Sequence, residues 1–295
     1  MLRFLIKTMR PRQWTKNLFL FAALVFDGKL FHLADFLRTL AGFGAFCLIS
    51  SAVYIFNDLL DVKADRQHPV KKERPIASGR LPISAALVAG TLLALAALAG
   101  AWLLAWQFAL VILVYFLLMI FYSLWLKHIP ILDVLILAAG FVLRVHAGTL
   151  LIEVERFSPW LYVLMTLLAL FLGFGKRRAE LGLLVEDTAD KSANGAFRRV
   201  LDGYTIPLLD QFITIVSGTT IVAYSLYTFF RPEAPGNHAL MLTIPFVVYA
   251  IFRYLYLVQV QQIGGEPEEI LLKDRPFQIA IGLWGLAVLA VFYLS

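Results

Sequence analysis

ISAALVAGTLLALAALAGAWLL, residues 83–104, contains no charged residue, and none occurs anywhere between Arg80 and Lys127. A helix that crosses a bilayer needs ~20 mostly apolar residues. This stretch therefore reads as a membrane span, and the fold follows from how often the pattern recurs. Eight further apolar segments flank it, at about 17–33, 36–60, 107–126, 129–151, 159–176, 207–230, 239–262 and 277–294. The whole chain is 60% hydrophobic and 16% charged, with a mean hydropathy of +0.79. A soluble domain does not need that much apolar surface. The expected fold is all-α and integral to the membrane, with nine transmembrane helices forming one polytopic domain over residues 1–295. The segment at 17–33 is the least regular, because Asp27 and Lys29 interrupt it. Met1 to Lys16 is basic with no small-residue cleavage site after it, and reads as the lead into a retained first helix.

Charge placement orients the helices. With the N-terminus cytosolic, and a charge near a segment end counted with the loop it adjoins, the inside segments carry 21 of the 26 Lys and Arg residues. The outside loops carry four, and Arg144 is left inside a segment. That asymmetry places the N-terminus in the cytosol and the C-terminus outside a plasma or inner membrane. The net charge of +6 fits loops held at an anionic leaflet and is not a sign of nucleic-acid binding. Cys47 is the only cysteine, so neither a disulfide framework nor a cysteine metal site forms within the chain. Two long inside loops, about 61–82 and 177–206, each follow the second helix of a four-helix block, which points to two pseudo-repeated halves.

Chemistry concentrates at the first of these loops. In Asn57-Asp58-Leu59-Leu60-Asp61-Val62-Lys63-Ala64-Asp65, residues 57, 61 and 65 share one helical face and Asp58 flanks it. Hard oxygen ligands at a membrane surface suit Mg2+, which keeps waters and substrate phosphates in its shell. The competing reading is a solvated helix end paired with Lys63, Arg66, Lys71 and Lys72. His68-Pro69-Val70-Lys71-Lys72-Glu73-Arg74-Pro75-Ile76-Ala77-Ser78-Gly79-Arg80 follows at once and favours the site. Together, Asn-Asp-x-x-Asp-x-x-x-Asp and Arg-Pro-Ile-x-x-Gly resemble the first signature of the UbiA-type intramembrane prenyltransferases. That resemblance implies a UbiA-like bundle whose aspartates bind a diphosphate through Mg2+ in a cavity open to the cytosol.

The chain departs from the common pattern after helix 6. Where a second aspartate-rich motif is usual, it has Lys176-Arg177-Arg178-Ala179-Glu180-Leu181, followed by Glu186, Asp187 and Asp190. This version resembles the decaprenyl-phosphate phosphoribosyltransferase branch. Arg10-Pro11-Arg12-Gln13-Trp14-Thr15-Lys16-Asn17 and the acidic loop from Glu266 to Asp274-Arg275 match that branch as well. The resemblance implies transfer of 5-phosphoribose from phosphoribosyl diphosphate to a polyprenyl phosphate. It implies metal ligation by Asn57, Asp58, Asp61 and Asp65, and catalytic roles for Asp58, Asp61, Asp65, Lys176 and Arg177. Substrate contacts are expected from Lys16, Asn17, Asn57, Lys71, Arg74, Arg178, Glu180, Asp274 and Arg275, and the oligomeric state is left open. The basic second motif has a plainer reading as a positive-inside anchor. Arg144 reads either as a phosphate contact or as a buried cation paired with an acid such as Asp133. Asp133 in turn reads as a site residue or as the partner of Lys127. His68 and His146 read as structural, and Glu153 and Glu155 as solvated. The alternatives are prenyl transfer to an aromatic acceptor and, from another class, transport of a phosphorylated metabolite. Transporters place their polar sites near the midplane, whereas here the polar groups gather at one surface.

Overall fold

A computed structural model describes residues 1–154, 159–187, 199–230, 238–261, 270 and 273–293. Side chains are described for these residues except 183–187 and Arg199. All regular secondary structure among the described residues is helical, with no strand among them. Eight helical stretches are long and apolar enough to cross a membrane, and the chain is a multi-pass membrane protein. They comprise α3 (Leu33–Leu60), α5 (Ile83–Leu104), α6 (Trp106–Leu124), α7 (Leu132–Thr149), α8 (Pro159–Asp187), α9 (Ile206–Phe230), α10 (Ile244–Gln259, preceded by a 3-10 turn from Ala239) and α11 (Arg275–Tyr293). The short helices are α1 (Leu2–Met9), α2 (Phe21–Phe26) and α4 (Val62–Gln67).

The first expected segment takes a different form. Pro11–Leu20 is a 3-10 helix that runs directly into α2. Pro11 opens it, and the Asp27–Lys29 ion pair at 3.1 Å closes the apolar run. Its ten residues and the six of α2 reach ~29 Å at ~2.0 and ~1.5 Å per residue, close to the ~30 Å of bilayer hydrocarbon. A continuous helix over 17–33 is therefore corrected to a stretched, two-part segment. Ahead of it, Phe4, Leu5 and Met9 of α1 pack on Ile55, Ile76, Leu81 and Ala86.

The chain divides into two compact units, Met1–Phe157 and Ser158–Ser295. The boundary falls after the fifth expected crossing, one helix later than the four-helix blocks predict. In the first unit α5 packs on α3 through Ala86, Gly90, Ala94, Ala97 and Ala101, all buried. Leu87, Leu92 and Leu95 of the same helix are exposed. Small residues at the interface and large ones outside are what helix association in lipid requires, since lipid tails are as apolar as leucine. Ala105 alone, in extended conformation, joins α5 to α6. In the second unit α8 packs on α9 and α10 on α11. The Trp284 indole donates to Tyr224 Oη at 2.7 Å, and that hydroxyl lies 2.6 Å from Thr243 Oγ1, linking α11, α9 and the turn before α10.

Candidate active site

In the first unit the acidic motif straddles a helix junction. Asp61 sits between α3 and α4 with φ −88° and ψ 1°, yet the Asp61 N–H still donates to Asn57 O and the Asp65 N–H to Asp61 O. Helical spacing therefore persists through the break. Residues seven apart differ by only ~20° around a helix, so Asp58 and Asp65 form the converging pair. Both aspartates are buried. Arg74 Nη1 donates to Asp58 Oδ1 at 3.1 Å and to Asp65 Oδ2 at 2.7 Å. Arg10 Nη2 donates to the same Asp58 oxygen at 2.5 Å while its guanidinium lies over the Tyr54 ring. Asp61 turns aside to Lys127 Nζ at 2.6 Å.

The loop behind the motif is built to present Arg74. Pro75, Ile76 and Ala77 are buried, the Leu81 N–H returns to Pro75 O, and Arg66 Nε donates to Ala77 O. Gly79 has φ +76°, a conformation open to glycine at no steric cost. His68 Nδ1 accepts from the Val70 and Lys71 N–H groups, a structural role as expected. Between α6 and α7, Ile131 adopts φ 71°, ψ −49°, strained for a β-branched residue, in the turn that carries Lys127.

The donor set bears on a metal. Among the described residues no group of three His, Cys, Asp or Glu side chains stands ready to hold one. Asp58 and Asp65 do converge on one cationic nitrogen, so the guanidinium of Arg74 marks where positive charge is wanted. Mg2+ is commonly held by one or two carboxylates together with substrate phosphates, and this pair fits that pattern. The half-buried Asn57 amide makes no hydrogen bond within the described residues. Of the four expected ligands, Asp58 and Asp65 converge here, Asn57 is adjacent and Asp61 is engaged by Lys127.

Asn17 departs furthest from expectation. It is fully buried, and its amide nitrogen donates to Ser50 Oγ at 3.2 Å and Cys47 Sγ at 3.4 Å. Its oxygen accepts from Arg144 Nε at 2.9 Å. It is placed to position its neighbours. Lys16 and Lys71 are half-buried. Asp133, fully buried, is not the partner of Lys127, which reaches Asp61 instead.

In the second unit the cationic run is largely paired. Arg177 is buried, with Nη1 2.5 Å from Glu180 Oε2 one turn on. Arg178 divides between Asp210 Oδ1 at 3.2 Å and Val258 O at 3.0 Å. Lys176 is half-buried. Arg177 and Arg178 thus brace α8 and its neighbours, and their expected contacts with substrate stay a proposal. Asp274 caps α11 by accepting from the Phe277 N–H and pairs with Arg253 at 2.7 Å. The Arg253 hydrogen bond holds the Asp274 carboxyl below the usual carboxylate range. Arg275 is exposed. Glu155, Asp190 and the acidic run from Glu266 to Glu269 lie outside the described residues, as do the side chains of Glu186 and Asp187. Sequence reasoning passed over Arg10, Lys127, Asp210 and Arg253 as site residues. Asp210 and Arg253 carried a legible signal, being charges inside apolar segments.

With this geometry in place, comparison with known proteins is informative. A family model described as the UbiA prenyltransferase family matches residues 18–268. Decaprenyl-phosphate phosphoribosyltransferase of Mycolicibacterium smegmatis is 38% identical, the alignment covering 99% of this chain and 93% of that protein. The protein of the same name from Corynebacterium glutamicum is 34% identical over 98% of this chain and 87% of its own length. Among solved structures, a UbiA homolog from Archaeoglobus fulgidus bound to GPP and Mg2+ has the same fold, with a TM-score of 0.69. It is 20% identical, and the match covers 98% of this chain and 99% of that one.

Proposed function

This chain belongs to the UbiA prenyltransferase family, and from that premise we propose that it transfers 5-phosphoribose from phosphoribosyl diphosphate to a polyprenyl phosphate. The observation that carries this reading is the chain-long likeness to relatives bearing that activity's name. The Asp58–Arg74–Asp65 cluster adds a place for the donor diphosphate. Asp58 and Asp65 would hold Mg2+, which when bound neutralises diphosphate charge and eases its departure. Arg10, Arg74 and Lys127 rest on carboxylates and would turn to the diphosphate oxygens of a bound donor. In the transfer, the bond from ribose C1 to the diphosphate oxygen breaks, and the diphosphate leaves with the electron pair. A lipid phosphate oxygen forms the new bond to C1 from the opposite face, with inversion. That oxygen is already anionic at neutral pH, so no general base is needed, and the residues act by positioning and electrostatics.

The decisive test offers one purified preparation both substrate pairs with Mg2+. Ribosylated lipid, identified by mass, is expected from phosphoribosyl diphosphate and polyprenyl phosphate, and none from an uncharged polyprenol. Prenylation of an aromatic acid without ribosylated lipid overturns the proposal.

The site is proposed to face the cytosol, with the C-terminus outside, on the strength of the charge asymmetry. In a Cys47→Ala background, Lys72→Cys should react with an impermeant thiol reagent from the cytosolic side and Glu153→Cys from the opposite side. Labelling of both from one side defeats this orientation.

A further inference from the structure

Arg144 is the one cation that the described residues bury in the first unit. A charge at bilayer depth is costly and is normally held by an opposite charge or by backbone carbonyls. Arg144 has the second kind of partner and not the first. Its Nε donates to Asn17 Oδ1 at 2.9 Å, its Nη1 to Gly140 O at 2.8 Å and its Nη2 to Tyr115 Oη at 2.7 Å. The rings of Tyr115 and Phe141 flank the guanidinium. All of these partners are neutral. Among the described residues no acid forms an ion pair with Arg144.

The side chain lies at a definite level. It runs back along α7 to the carbonyl of Gly140, which is ~12 Å from the Leu132 end at 1.5 Å per residue. Counted the same way from Leu124, Tyr115 lies ~13 Å deep, and Asn17 lies ~12 Å from Pro11 along the 3-10 segment. Tyr54 is ~9 Å from the Leu60 end of α3, with Arg10 above its ring and Asp58 bonded to Arg10. Lys16 directly precedes Asn17 on the same 3-10 segment. These polar groups form a column by depth, from the aspartates through Arg10 and Tyr54 to Tyr115, with Arg144 at its lower end.

We propose that Arg144 and Lys16 form a phosphate monoester subsite at the lower end of this column, separate from the diphosphate site at Asp58, Asp65 and Arg74. Five N–H groups radiate from a guanidinium, and the three bonds above leave one on each terminal nitrogen. The Tyr115 hydroxyl accepts from Arg144 and keeps its own proton to donate. Pinned by three neutral acceptors, Arg144 presents a fixed planar fork that suits phosphate oxygens. A monoester dianion would supply the charge the protein withholds. The inference rests on the transfer reaction proposed above, in which two monoesters take part: the 5-phosphate of the donor and the phosphate of the lipid. The chemistry is shared, and the experiment separates the sources.

Two probes, ribose 5-phosphate and a short polyprenyl phosphate, are titrated against wild type and Arg144→Gln in detergent, with melting temperature as the readout. Mg2+-diphosphate serves as a third ligand. In Arg144→Gln the affinity for one monoester should fall roughly ten- to a hundredfold, as for a lost charge-assisted contact. Mg2+-diphosphate should bind as before. Loss confined to ribose 5-phosphate assigns the subsite to the donor, and loss confined to the lipid assigns it to the acceptor. Unchanged affinity for both monoesters overturns the subsite. So does an equal loss for all three ligands with a lower melting temperature, which marks Arg144 as a clamp between α7 and the 3-10 segment. If Arg144→Gln does not accumulate, Lys16→Gln decides by the same readout, since it removes a half-buried charge and leaves the Asn17–Arg144 bond in place. A wild-type protein that binds neither monoester and prenylates an aromatic acid defeats the reaction itself, and the subsite with it.

Discussion

Asp58→Asn is expected to lower phosphoribosyl transfer at least about a hundredfold. Asp58 is 2% exposed and one of its oxygens takes both Arg10 and Arg74. Removing one partner of a buried ion pair costs ~3–5 kcal/mol. The two arginines are 30% and 26% exposed, so water recovers part of that, leaving ~1.5–3 kcal/mol, or ten- to a hundredfold. The lost Mg2+ ligand adds to this in the reaction. Asp61→Asn is expected to lose less, about tenfold, because Asp61 meets only the Lys127 ammonium in a half-exposed setting. Initial rates at limiting and saturating magnesium, beside melting temperatures of both variants, check the ordering. If Asp58→Asn keeps more than half of wild-type turnover at limiting magnesium, the cluster is only a salt-bridged helix end.

Gly148→Ala should produce the largest loss of stability. A Cβ at Gly148 would lie 2.1 Å from Leu20 O, 3.0 Å from Leu20 C and 3.2 Å from Leu20 Cα. All three atoms are backbone, so no rotamer relieves the contact, and the 3-10 segment has to move away from α7 by about an ångström. Overpacking of this kind costs ~1–3 kcal/mol, and the shift also breaks the Asn17–Arg144 bond, worth ~1.5–3 kcal/mol as a hydrogen bond to a charged group. Melting temperature should fall sharply, and trypsin should cut faster at Arg12 and Lys16. Gly100→Ala is the control. Nothing lies within 4 Å of its would-be Cβ, and alanine in a helix interior is favoured over glycine by ~0.5–1 kcal/mol. Equal melting curves for Gly148→Ala and wild type would mean that α7 and the segment are not in close contact.

How much of this was legible follows from distance along the chain. The spans were readable because apolar runs report membrane burial locally, and the boundaries of α5 agree with the sequence reading to the residue. The Asp58–Asp65 pairing was half-visible, since helical spacing is a local property, but the choice of that pair over 57, 61 and 65 depends on where Arg74 arrives. Arg74 arrives by a loop whose folding rests on the burial of Ile76 and Leu81 against Ile55 and Ala86, and no spacing rule encodes that. Asn17 was misplaced for the same reason. Its motif was recognisable, but its partners lie 30, 33 and 127 residues away. Arg177 was read as catalytic and Glu180, three residues on, as a substrate contact, and the pairing of the two went unread. A one-turn spacing of opposite charges on a helix is itself a pairing signal.

The stretched segment from Pro11 to Phe26 bears on the order in which the protein is made. It carries Arg12, Lys16 and Asn17, and in lipid by itself each of these polar groups would be unsatisfied. What relieves Asn17 is Ser50, Cys47 and Arg144, and what receives the backbone of Leu20 is the gap left by Gly148. Those groups leave the ribosome only as α3 and then α7 are synthesised. The first apolar segment to emerge is therefore not the first to settle. Its seat is complete only once the fifth crossing is made, so truncation of the nascent chain before Arg144 is expected to leave the beginning of the protein without its place in the bilayer.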